Sequence, residues 1–444
     1  RETAGLDSAS DGFQDAVAML DNLVRSRNLW QLFVHRAVPL LQARPQAAGL
    51  RALYGESLLR VGRPAEAGEQ MEQAIALAGA DPMLRFQLAT VYSTLGRTAD
   101  AVELASGLAE EFPGHHGVQN LLGDVLAQQG RNLEAIAALE RAILILKEDG
   151  TEAVRRDALR QQCIRLWLSA GEPERARDVL AGLENPASMD ALELAGRVAL
   201  VLRDYPGALE FAQRLRRGSE DGAGILLEAE IRAAKGETGK ARKLFGEASR
   251  FLGNSVWPIA ADAMFRAGEP DEGEELLKTW RNQEPDNPWA HYSLGQYLEQ
   301  RGNFRQMEKE MQEAIRLNPE FADALNHLGY SMADRNVQLD VALDYISRAV
   351  SLDPWNAAYL DSLGWVYFRM GQYEKARSPL ETAAGSRPGD PVVLEHLGDL
   401  YEKLGQTESA LSSWRTALAA DPAGQEKLEA KIAALLGRED GDRP

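Results

Sequence analysis

Residues 357–390 read AAYLDSLGWVYFRMGQYEKARSPLETAAGSRPGD, and residues 391–424 read PVVLEHLGDLYEKLGQTESALSSWRTALAADPAG. Laid over one another, these lines put Leu360 on Leu394, Leu363 on Leu397, Gly364 on Gly398 and Tyr367 on Tyr401. They go on to put Ala376 on Ala410, Leu380 on Trp414, Ala383 on Ala417 and Pro388 on Pro422. Within the copy these are positions 4, 7, 8 and 11, then 20, 24, 27 and 32. The first four lie on one face of a helix with 3.6 residues per turn, and 20, 24 and 27 on one face of a second. Gly364 and Ala376 are small where the two helices must approach, with Leu363 and Leu380 filling the space beside them. Gly371 and Gly405 end the first helices, because glycine takes a left-handed C-cap at little cost. Pro388 and Pro422 stop the second helices. Such a pair cannot bury its apolar face alone, so the pattern predicts stacked hairpins.

Working outward, the same spacing recurs. Copies begin near Ala48, Pro82 and His116, with Gly62, Gly96 and Gly130 at the turn and Ala67, Ala101 and Ala135 at position 20. Residues 150–253 are looser, anchored on Gly171 with Ala176, Tyr205 with Ala208, and Gly236 with Ala241 and Phe245. Their helical period survives, so divergent repeats that keep stacking are preferred to a bend, although 148–157 is polar. Regular copies resume at Asn254, Pro288 and Ala322, the last with one extra residue in its turn. The expected organisation is a disordered tail at 1–10, a hairpin or atypical repeat at 11–47, and repeats at 48–149. Divergent repeats follow at 150–253 and regular ones at 254–424, then a capping helix at 425–437 and a tail at 438–444.

Composition narrows the function classes. A net charge of −18 argues against nucleic acid, whose phosphates need clustered Lys and Arg. No run of 18 apolar residues could span a bilayer. Cys163 is the only cysteine, so an internal disulfide and a cysteine metal site are both excluded. It falls at a core position and reads as a small buried hydrophobe. The sequence begins at Arg1, without methionine or an apolar leader, and reads as a processed or partial chain. Abundant Ala and an excess of Arg over Lys suggest a GC-rich bacterial source.

The spaced residues resemble the tetratricopeptide repeat, over 48–436 and more loosely over 11–47. The resemblance implies an all-α, right-handed superhelical solenoid of about eleven helix–turn–helix repeats with terminal capping helices. It implies that first helices line a concave groove and that the chain binds proteins or extended peptides. The wording of the last copies is similar to multi-repeat bacterial scaffold proteins, several of them envelope lipoproteins or adaptors for proteases and secretion machinery. A periplasmic or membrane-tethered location is therefore favoured over the cytoplasm.

In the family, positions 2, 5, 9, 12 and 13 face the groove. Here they are Trp289, Tyr292, Gln296, Glu299 and Gln300; then Asp323, Asn326, Tyr330, Ala333 and Asp334. The next copies give Ala358, Asp361, Trp365, Phe368 and Arg369, and Val392, Glu395, Asp399, Glu402 and Lys403. The candidate partner-binding set is Trp289, Tyr292, Asn326, Tyr330, Asp361, Trp365, Phe368 and Arg369. Its rings supply rigid apolar contact, and Asn can hydrogen-bond an extended backbone. None of these aromatics is required by the repeat core. The Lys/Asn clamp that some family members use for a carboxylate terminus is not recognisable, which argues against acidic tails.

No catalytic residue, metal site or cofactor is expected. The chain has no HExxH, no GxSxG and no phosphate-cradling loop. His115 and His116 sit between helices as a solvated pair, and His327 and His396 are two copies apart, too far to share an ion. The leading expectation is a non-catalytic scaffold, serving envelope assembly, secretion or proteolysis. The alternative is the regulatory repeat segment of a larger enzyme such as a transferase. End-to-end self-association is a further reading.

Overall fold

The computed structural model describes residues 11–79, 81–146, 152–218, 222–420 and 425–441. The expected tail at 1–10 lies outside them, as does Pro422. Among the described residues every regular element is helical, and the chain falls into two compact units that divide after Ile145.

The first unit holds four hairpins. These are α1 (Asp11–Ser26) with α2 (Trp30–Ala43), α3 (Ala48–Arg60) with α4 (Pro64–Ala78), α5 (Pro82–Thr94) with α6 (Thr98–Glu111), and α7 (His116–Gln128) with α8 (Asn132–Ile145). The second opens with three divergent hairpins: α9 (Ala153–Ser169) with α10 (Pro173–Leu180), α11 (Met189–Val201) with α12 (Tyr205–Gly218), and α13 (Ala223–Ala234) with α14 (Thr238–Leu252). Then come α15 (Val256–Arg266) with α16 (Pro270–Gln283), and α17 (Pro288–Gln300) with α18 (Phe304–Leu317). The last are α19 (Ala322–Asp334) with α20 (Leu339–Leu352), α21 (Ala357–Arg369) with α22 (Tyr373–Ser386), and α23 (Pro391–Lys403) with α24 (Thr407–Ala420). A final helix, α25 (Gln425–Gly441), runs past the expected end of the cap at residue 437. The fold is an all-α solenoid of helical hairpins, as expected.

Local chemistry explains the boundaries. Asn356 Oδ1 accepts the backbone N–H of Ala358 at 3.1 Å, and Asp390 Oδ1 that of Val392 at 3.0 Å. Asn287 and Asp81 cap α17 and α5 in the same way, with proline next in the chain. This Asn/Asp–Pro signature was readable in the sequence but is not part of the eight-position pattern. At the other end of α21, Gly371 has φ +74° and the Gln372 N–H closes on the Tyr367 carbonyl at 2.9 Å. The extra residue between α19 and α20 leaves Asn336 and Gln338 at φ +58° and +47°, where most other copies use one glycine, and the α1–α2 and α11–α12 turns use Asn28 and Arg203.

The core runs continuously from Ala261 of α15 to Val366 of α21, with Met307, Met311 and Ile346 at its centre. The divergent copies keep their own core, in which Cys163 is buried. Two helices hold an internal proline against its propensity, α2 at Pro39 and α22 at Pro379. Pro379 sits inside α22, where it has no N–H to offer the Lys375 carbonyl. Pro379→Ala is expected to stabilise the α21–α22 hairpin by about 1–3 kcal/mol. Slower amide exchange across α22 checks this, and unchanged exchange there would refute it.

Candidate functional site

The candidate face lies in the second unit, on the first helices α17, α19, α21 and α23. Its upper end is an aromatic cluster. Trp289 meets Tyr292 edge-on at 5.8 Å and Phe321 at 4.4 Å between ring centroids, and Tyr292 touches Phe321 at 5.0 Å. Trp289 is 52% exposed, so its indole offers an open face. Tyr292 is half-buried, its oxygen accepts from the Gln296 amide at 2.9 Å, and burial with the nearby Asp323 pushes its pKa up to about 12. Phe321 precedes α19 and was not singled out in the sequence, since it falls in a linker.

The lower end is different. Trp365 is only 7% exposed and belongs to the continuous core. Its ring stacks on His396 of the next copy at 4.0 Å and on Phe368 at 4.9 Å, and Arg369 lies over it at 5.4 Å. The expectation that the repeat core needs none of these aromatics is therefore wrong for Trp365. Tyr292, Tyr330 and Phe368 also pack partly against that core. The reason is geometric: position 9 of one copy faces position 6 of the next, and His396 presents a flat ring there. Asp361 is likewise buried and engaged, accepting from His396 Nδ1 at 2.9 Å.

Between these ends sits Tyr330, half-buried, whose hydroxyl donates to no group among the described residues. Burial raises its pKa, and the carboxylates of Asp334, Asp361, Glu299 and Glu395 raise it further. These four come from four successive first helices, so Tyr330 marks where their charges converge. Glu299 is paired with His327 Nε2 at 2.5 Å, and Asp323 accepts from the Tyr359 hydroxyl. Asn326 Oδ1 and Trp365 Nε1 are buried without partners among the described residues. The structure thus brings Trp289 and Tyr292 together, and separately Asp361, Trp365, Phe368 and Arg369, with Asn326 and Tyr330 on the helix between.

The histidines hold helices together. His291 donates from Nδ1 to Glu310 at 2.6 Å and from Nε2 to the Pro285 carbonyl at 2.9 Å. Burial opposes its charge, but these acceptors outweigh burial and its pKa is raised. His115 Nδ1 accepts the Val118 N–H and caps α7, with His116 stacked beside it. Among the described residues no group of three or more His, Cys, Asp or Glu is placed to hold a metal ion. No described helix is long and apolar enough to cross a membrane.

A feature missed in the sequence lies on the divergent copies. An open cavity of about 550 Å³ is lined by Arg197, Arg203, Glu230 and Arg266 among apolar groups. Glu230 is buried there, which raises its pKa, with Arg197 at 3.4 Å. Arg197 and Glu230 lie in the middle of α11 and α13, Arg203 in the turn after α11 and Arg266 at the end of α15. The divergent copies are anchored in the sequence on only a few residues, which leaves these positions unplaced.

Stacked helical hairpins, a continuous core and a leftover face of rings and carboxylates define a repeat protein of the interaction-scaffold class. Models of the tetratricopeptide repeat match residues 86–153, 292–357, 333–391 and 362–424, and a second such model matches 48–73. The chain belongs to the tetratricopeptide repeat family. A TPR repeat-containing protein of Pseudomonas aeruginosa is 27% identical over 196 residues, 44% of this chain and 33% of that protein. The chain thus spans about a third of that relative's length. Among solved structures, yeast Tom70 aligns at 15% identity and TM-score 0.45, over 89% of this chain and 97% of that one. The APC/C hetero-tetramer Cut9–Hcn1 aligns at 15% and 0.41, over 95% and 96%.

Proposed function

We propose that this chain is a non-catalytic scaffold of bacterial origin that binds an extended segment of a partner protein along the first helices α17–α23. The carrying observation is Trp289, half-exposed at the head of an aromatic cluster whose other members, Tyr292 and Phe321, pack into the repeat core while Trp289 does not belong to it. Large rings left in solvent beside half-buried tyrosines are what partner anchors look like before the partner arrives. Asn326 Oδ1 and Trp365 Nε1, unpaired among the described residues, support the same reading, since native structures leave few such atoms unsatisfied. Envelope assembly, secretion or proteolysis is the proposed setting, drawn from the likeness of the last copies to bacterial multi-repeat scaffolds.

The test is site-specific photocrosslinking in cells, with the reactive group at position 289 and, as control, at position 309 on exposed α18. A discrete adduct at 289 that is absent at 309 and lost in Tyr292→Ala is the expected result. Identical adducts at both positions, or none at 289, would remove the reading. Trp365→Ala is unsuitable here, because Trp365 is part of the core.

A further inference from the structure

The face carries a sign as well as rings. At its twenty family positions, seven are Asp or Glu and two are Arg or Lys, namely Arg369 and Lys403. Arg369 is already laid over Trp365. Of the carboxylates, Asp334 is exposed and bonded to no described group, and Asp323 is exposed beside the Tyr292 ring. The chain itself shows what this face accepts. Lys431 of α25 places its ammonium 2.6 Å from both Glu395 and Asp399, at positions 5 and 9 of α23, and Lys427 lies 2.7 Å from Glu395. Lys427 also feels Asp334 of α19, two hairpins away. The last copy thus has its acidic positions filled by lysines one helical turn apart, while the copies before it have no such helix over them.

We infer that the face from Trp289 to Asp334 takes a basic partner segment, one arginine or lysine seated between Tyr330 and Asp334 and a second over the open Trp289 indole. This rests on the reading of that face as the binding surface. The Tyr330 hydroxyl has no partner among the described residues to lose, and Asp334, the one carboxylate near it bonded to no described group, offsets the desolvation of an incoming cation. Over Trp289, a guanidinium gains cation–π attraction, and the Asp323 carboxylate acts on the neighbouring Tyr292. The chain's net charge of −18 adds long-range steering of the same sign, which salt weakens.

The probe is a phage-displayed library of random peptides of about a dozen residues, selected on the full chain. The expected result is enrichment of Arg and Lys alongside aromatic or aliphatic residues. The enriched peptides should bind Asp334→Lys and Trp289→Ala each about tenfold more weakly than wild type, and weaken with added salt. Enriched peptides that still need Trp289 but show no excess of basic residues would overturn the charge inference and leave the groove reading intact. Basic peptides that bind both variants as well as wild type would place binding elsewhere and overturn both. Failure to enrich any sequence would overturn the inference, with the crosslink at 289 then deciding the groove by itself.

Discussion

Gly364→Val is expected to destabilise the α21–α22 hairpin by about 3 kcal/mol or more. A β-carbon at residue 364 would lie 2.4 Å from Leu380 Cγ and 3.2 Å from the Ala376 carbonyl oxygen. Neither neighbour can yield. Leu380 is fully buried, and the carbonyl belongs to the backbone of α22. The helices would have to separate, and with them the contacts of α19–α20 and α23–α24, since each repeat is stabilised through its neighbours. Helix propensity pulls the other way, glycine costing about 1 kcal/mol against alanine, but the clash is larger. A double-mutant cycle makes this specific. Leu380→Ala alone should cost about 2–5 kcal/mol through its cavity, and adding Gly364→Ala to it should cost less than in wild type. Thermal unfolding and amide exchange in α21 and α22 read both, and additive losses would show that the two side chains do not compete for one space.

Asp157→Ala is expected to cost about 3 kcal/mol and to loosen the junction between α10 and α11. Asp157 is buried, and its two oxygens accept the backbone N–H groups of Glu184 at 2.9 Å and Asn185 at 2.8 Å. Alanine strands both donors in a part-buried linker, at about 1–3 kcal/mol each. Asp157→Asn, which keeps one acceptor, should lose about half. Beside it, Arg156 bonds Glu184 through two nitrogens at 2.7 and 3.0 Å, and Arg160 adds a third contact at 3.1 Å. The hydrogen bond from Arg156, helped by Arg160 against the opposing desolvation, holds the Glu184 carboxyl down to about 2. A depressed carboxylate stabilises above its ordinary pKa, so the clasp should weaken as pH falls from about 4.5 toward 2. Protection of the Glu184 and Asn185 amides is the measurement, and protection unchanged in Asp157→Ala would refute the assignment.

These two results divide what was legible in the sequence from what was not. Gly364 announced itself, because a glycine recurring at position 8 with Leu or Trp sixteen residues on can only mean a close helix crossing. The Arg156–Asp157 clasp did not. Its partners are 27 or 28 residues away in a linker that has no repeat position, so the segment read merely as polar. The same limit produced the error at Trp365. Position 9 holds Gln296, Tyr330, Trp365 and Asp399 in successive copies, and which of them is buried depends on the side chain that the following copy sets opposite. A periodic pattern describes a residue's own hairpin well and its neighbour's surface poorly. Tyr330 was singled out for its ring, whereas the four carboxylates around it became visible only when four helices were placed side by side.

The contrast between the two tryptophans has an evolutionary consequence. A mutation at Trp289 changes what the surface displays and leaves folding almost untouched, so drift there can test new ligands freely. A mutation at Trp365 must first survive the loss of its stack on His396. Selection for a new partner can therefore rewrite the upper end of the face by single steps, while the lower end changes only when Trp365 and His396 are exchanged together.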